Sequence, residues 1–161
     1  MLWILLGVCG CVSFPPMPQN PDEFKEGVST IKKGHVSSIE VNRSYEQVTS
    51  DLQKHAESCF NFTSTWTRVS GGVTRGGYKL DYNAKFIPVS TTRSRFTIQE
   101  VYRGTRIGPK MPEGGFYKVL AEMEKVSSTK TKVSFYSFGW LETVDVLKDW
   151  AEGGNTACPV N

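Results

Sequence analysis

Three observations predict an α+β fold: a curved antiparallel sheet of about six strands packed against two helices, in the order β-α-β-β-β-β-β-α. First, Tyr45, Val48, Leu52, His55, Ala56 and Cys59 recur at three- and four-residue spacing, the stripe of an amphipathic helix of about four turns. Second, segments of period-two alternation follow one another from Phe60 to Phe138, joined by connections short enough to be antiparallel hairpins. Third, Leu141, Val144, Leu147, Trp150 and Ala151 form a closing helical stripe. Strands in succession with a helix near either end pack most economically as one sheet covered by both helices.

The elements follow in order. Phe24, Val28 and Ile31 lie at helical spacing in a short segment interrupted by Gly27. Residues 35–41 then read as a strand, with Val36, Ile39 and Val41 apolar. Ser44 and Gln47 have the spacing of a capping box, which starts the first long helix. Phe60, Phe62, Ser64 and Trp66 mark one face of the next strand, which ends at Gly71-Gly72. Tyr78, Leu80, Tyr82, Ala84 and Phe86 alternate with Lys79, Asp81, Asn83 and Lys85, as in a strand with one buried and one wet face. Further strands are marked by Phe96, Ile98, Glu100 and Tyr102, by Tyr117, Val119, Ala121 and Met123, and by Val133, Phe135 and Ser137. Gly153-Gly154 supplies the stop for the last helix.

The head of the chain has a different character. Residues 1–10 carry no charge, and seven consecutive apolar or Gly residues run from Leu2 to Val8. That is far short of the roughly 20 residues a membrane-spanning helix needs. It has the form of a signal peptide's apolar region without its basic start. Val8-Cys9-Gly10-Cys11 resembles the lipobox of bacterial lipoproteins, with Gly before the Cys and an aliphatic residue three positions before it. That resemblance implies a lipid anchor on Cys11, with Cys9 disfavoured by the bulky Val8 before it. Residues 11–21 hold Pro at 15, 16, 18 and 21, a composition suited to a semi-rigid tether. The single folded domain is then residues 22–161.

An exported domain with two remaining cysteines, Cys59 and Cys158, is expected to bridge them as a disulfide. The alternative for Cys59 is a nucleophilic thiol served by His55 one helical turn earlier.

The order of elements resembles the START-like helix-grip superfamily, in which a curved antiparallel sheet wraps a helix and often encloses an apolar ligand. Residues 35–152 carry the resemblance. The chain departs from that family in having six strands where seven are usual, and in a last helix of only about 12 residues. The ending Trp150-Ala151-x-Gly153 followed by Cys158-Pro159 looks similar to uncharacterised proteobacterial envelope lipoproteins. The location this implies is the bacterial cell envelope, at the outer membrane facing the periplasm.

Function classes narrow quickly. A length of 161 residues supports one domain with a substantial core. A net charge of +3 with no basic run longer than two residues gives no nucleic-acid footprint. Two His cannot build a multi-His metal centre, and no Gly-x-Ser-x-Gly or His-Glu-x-x-His motif is present. No cofactor and no catalytic activity are expected, with a cyclase-like reaction as the remote alternative. The Gly-rich run 71–77 leads into a strand, not a helix, so it reads as a hairpin turn and not as a phosphate cradle. The expected partners are a membrane, through the lipid anchor, and a lipid or apolar ligand. A filled core would instead favour a module that contacts an envelope protein. Candidate pocket-lining residues are Tyr78, Leu80, Tyr82, Phe86, Phe96, Ile98 and Glu100, a stripe that an ordinary core would also show. An inward Glu100 must pair with Arg, Lys or a Tyr hydroxyl, or be protonated. The opposite register, with Arg95, Thr97 and Gln99 inward, exposes more aromatic surface. The loop 104–115 carries Arg106, Ile107, Lys110 and Met111, candidates for a lid or a partner contact.

Overall fold

The computed structural model describes residues 17–104 and 110–159, and within these the backbone alone at 68–70 and 73–76. Cys11, Arg106 and Ile107 therefore lie outside the described residues. The element order is α1 (Pro21–Thr30), β1 (Gly34–Val41), α2 (Tyr45–Cys59), β2 (Phe62–Ser70), β3 (Val73–Ser90), β4 (Arg93–Arg103), β5 (Phe116–Lys125), β6 (Thr131–Phe138) and α3 (Leu141–Glu152). All six strands form one antiparallel sheet in the order β1-β6-β5-β4-β3-β2. The α+β class and its strand and helix order are those the periodicities predict. Placing β1 beside the last strand gives a helix-grip-like arrangement, with α2 and α3 on the concave face.

Local chemistry sets the helix boundaries. The Ser44 hydroxyl accepts from Gln47 N–H at 3.3 Å, while the Gln47 side chain accepts from Ser44 N–H at 3.2 Å, completing the capping box. Gly153 at φ 95° ends α3 in the left-handed conformation. Arg43 donates to the Trp150 and Ala151 carbonyls at 3.3 and 3.0 Å, satisfying acceptors that the last helical turn leaves open. At the β2–β3 hairpin, Gly71 and Gly72 adopt φ 61° and 75° and make the turn, while the rest of the glycine-rich run, from Val73 on, already belongs to β3.

The short segment before β1 is a third helix, α1, and it packs on the convex face. Its Asn20 cap accepts from Glu23 N–H at 2.9 Å, and Phe24 and Val28 bury against Leu120, Tyr136 and Tyr117. Arg95, Thr97 and Gln99 also face this side, so the alternative register for β4 is excluded. Glu122 pairs there with both Lys25 and Arg95, and Arg95 reaches Asp22 as well. Arg95 holds the Asp22 carboxyl below the ordinary carboxylate range.

The main core lies between the concave face and the α2–α3 layer. Val48, Leu52, Ala56 and Phe60 from α2 and its cap meet Val144, Leu147 and Trp150 of α3 over Phe96, Ile98, Val119, Ala121 and Phe135. Every one of these side chains is essentially inaccessible to solvent. The space beneath the helices is therefore filled with side chains. Cys59 and Cys158 are joined by a disulfide that ties the end of α2 to the tail beyond α3, with a Cα–Cα distance of 5.4 Å.

Candidate binding site

Cross-strand register sorts the concave face into rows. Phe86, Phe96, Ala121, Phe135 and Ser37 form one row, and Ala84, Ile98, Val119 and Ser137 the next. Both rows lie under the helices. Phe62, Tyr82, Glu100 and Phe116 form the third row, Ser64, Leu80 and Tyr102 the fourth, and Trp66 and Tyr78 the fifth. The helical cover cannot extend over all of them. A helix of 12 residues is about 18 Å long, whereas the 18 residues of β3 have a contour of about 59 Å.

The cover ends at Trp140, the cap residue of α3, whose ring abuts Tyr82 at 5.5 Å. Beyond it the sheet carries an open aromatic trough. Trp66 is 50% exposed, Tyr78 42% and Phe62 38%. Phe62 packs on Tyr82 at 4.9 Å, and Tyr78 on Tyr102 at 5.7 Å. Leu80 is buried between the rings as part of the floor.

Polar groups gather at the helical end of this trough. Glu100 faces inward, and Lys118 Nζ lies 3.0 Å from its Oε1. The Tyr82 hydroxyl donates to its Oε2 at 3.1 Å. Both carboxylate oxygens are thus engaged, and the side chains of Lys118 and Glu100 retain 25% and 17% exposure. Lys118 reaches this face through a bulge. Ile98 pairs with Val119 and Gln99 with Tyr117, so Lys118 is the extra residue opposite that step. The bulge turns Tyr117 to the convex side, where it packs on Phe24 at 5.6 Å. The periodicity places Tyr117 on the same face as Val119; the phase change separates the two.

Burial, reinforced by the Glu100 charge, pushes the Tyr82 phenol up to about 12. An unfolded tyrosine ionises near 10. Stability from this group is therefore complete below about pH 10 and is lost as pH rises toward 12, because the unfolded state releases its proton first. Tyr82→Phe is expected to flatten the fall of the urea midpoint between pH 9.5 and 11.5. An unchanged alkaline slope in that variant would contradict the assignment.

The predicted pocket residues divide into two groups. Tyr78, Leu80, Tyr82 and Glu100 belong to the trough, whereas Phe86, Phe96 and Ile98 lie in the rows beneath the helices. Lys110 and Met111 stand elsewhere. The Lys110 carbonyl accepts from Gln19 Nε2 at 3.4 Å, just ahead of α1. Gln99 on the convex face holds the end of that loop through the Glu113 and Gly115 carbonyls at 2.9 and 3.0 Å.

A depression of about 580 Å³ lies open between α2 and the end of β3, lined by Glu46, Thr49, Gln53, Glu57, Phe86 and Pro88 among others. Its helical wall is the solvated side of α2, and no cluster of exposed rings points into it. The trough is the stronger candidate because exposed aromatic surface and convergent polar groups coincide there. Among the described residues no group of three or more His, Cys, Asp or Glu is arranged to hold a metal ion.

No family model and no curated protein matches the chain. Among solved structures it is similar to a hypothetical protein from Helicobacter pylori, at 8% identity and a TM-score of 0.44, covering 88% of this chain and 96% of that one. It is also similar to a conserved protein from Geobacillus kaustophilus, at 14% identity and a TM-score of 0.35, covering 74% and 93%. A third is norcoclaurine synthase from Thalictrum flavum, solved with dopamine and hydroxybenzaldehyde, at 13% identity and a TM-score of 0.30, covering 88% and 94%.

Proposed function

We propose that the chain is an exported envelope lipoprotein, anchored through Cys11, whose concave trough binds an apolar small molecule or lipid. The observation that carries this reading is the clustering of Phe62, Trp66 and Tyr78, each more than a third exposed, next to the Tyr82–Glu100–Lys118 group. Leaving that much aromatic area in water is unfavourable, and a ligand lying along the trough relieves it. The disulfide is compatible with an oxidising compartment. No helix among the described residues is long and apolar enough to cross a membrane, and the proposed attachment needs none. In this reading the site binds its ligand and does not convert it.

Native mass spectrometry of the mature protein purified from its host tests the proposal. The expected result is a non-covalent adduct that is lost on denaturation and is strongly depleted in Trp66→Ala. A clean apo mass under varied extraction would overturn it. The filled interior beneath α2 and α3 favours a second reading, an interaction module that presents the same rings to an envelope protein. That reading expects the apo mass together with a protein cross-linked through position 66.

A further inference from the structure

The trough is polarised along its length, and this bears on the chemistry of its occupant. Its charged atoms, among the described residues, meet at the end bounded by Trp140, where Glu100 and Lys118 lie beside Tyr82. Toward the other end the row positions are Leu80, Tyr102, Tyr78 and Trp66 with Ser64, whose polar atoms are neutral hydroxyls and an indole N–H. An amphipath with one polar head and an apolar body matches this distribution.

The donor and acceptor inventory then selects the head. Glu100 has one oxygen on Lys118 and the other on Tyr82, and the Tyr82 proton is spent on Glu100. Lys118 carries three N–H donors, and Glu100 is its ion-pair partner among the described residues. The ammonium therefore keeps two donors beyond its contact with Glu100, which an acceptor-rich anionic head can take. Tyr78 lies four residues along β3 from Tyr82, so the body available to the ligand is about 13 Å long.

Building on the binding reading, we propose that the trough is a site for an amphipathic monocarboxylate, its carboxylate on Lys118 and its apolar body stacked along Tyr102, Tyr78 and Trp66. The body is either acyl or aryl, since both present the same surface to the rings.

Calorimetric titration with decanoate, decanol and decyltrimethylammonium tests the head, and a phenylalkyl series with the same three heads separates acyl from aryl bodies. The acid is expected to bind about tenfold or more tightly than the alcohol in at least one series. Lys118→Met should abolish that preference while leaving alcohol affinity in place. Glu100→Gln should widen it by releasing the ammonium from its partner. Trp66→Ala should weaken acid and alcohol alike. If acid and alcohol bind equally in both series, the inference fails while the binding reading stands. If none of the probes binds the folded protein, and the protein from its host is apo, the binding reading fails with it. Should Lys118→Met not fold, Glu100→Gln and Lys118→Arg decide the matter: the first must widen the acid preference and the second must retain it.

Discussion

Reducing the Cys59–Cys158 disulfide is expected to lower the unfolding free energy by about 4 kcal/mol. The sequence separation of 99 residues sets that scale, because a cross-link over so long a loop removes much of the entropy of the unfolded chain. The native contribution is local. The bond holds the tail beyond α3 against the end of α2, where Thr156 accepts from Trp150 Nε1 at 2.8 Å and donates to Asp149 at 2.7 Å. The Thr156 hydroxyl and, at 3.0 Å, the Thr156 N–H both donate to Asp149 Oδ2 and hold its carboxyl below the ordinary range. Urea unfolding of the oxidised protein against a Cys59→Ala, Cys158→Ala variant measures the difference. Thiol titration of the unfolded, unreduced protein must find neither Cys59 nor Cys158 reactive. A change below about 1 kcal/mol would show that the surrounding packing, and not the bond, keeps the ends of the two helices together.

The parts of the fold that rest on local chemistry were legible from residue order. The Ser44 box, the α2 stripe, the alternation from Tyr78 to Phe86 and the inward Glu100 each follow from spacing over a few residues. What lay beyond reach depends on distant segments meeting. Lys118 looks solvated by alternation, and only the bulge opposite Ile98 and Gln99 turns it toward Glu100. The even stripe in β3 and β4 gives no sign that Phe96 and Ile98 are covered while Tyr78 is not. That division is set by where α3 begins, at Trp140, and the cover is a matter of helix length against strand length. Phe24 and Val28 announce a short amphipathic helix but not which face it takes. The convex site requires Leu120, Tyr136 and the Glu122 ion pairs to meet there.

Trp150→Ala is expected to cost about 3–5 kcal/mol, comparable to loss of the disulfide. The side chain is wholly buried, stacks on His55 at 4.9 Å and meets Phe60 at 6.2 Å. Truncation leaves a cavity where α2 and α3 join and removes the donor on the Thr156 carbonyl. Trp150→Phe separates the two effects: it keeps most of the volume and should lose about 1–2 kcal/mol for the unpaired acceptor. The disulfide and Trp150 secure the same tail, so their losses should overlap. Reduction of Trp150→Ala is expected to cost less than reduction of the parent protein, and strict additivity in that cycle would mean the tail is not a shared element. The consequence reaches the trough. α3 carries Trp140 at its start and Trp150 near its end, so loosening the second end frees the first from Tyr82. Ligand affinity should therefore fall in Trp150→Ala under conditions where the protein remains folded, although position 150 lies outside the trough. Unchanged affinity in that variant would show that Trp140 is held by its own contacts with Tyr82.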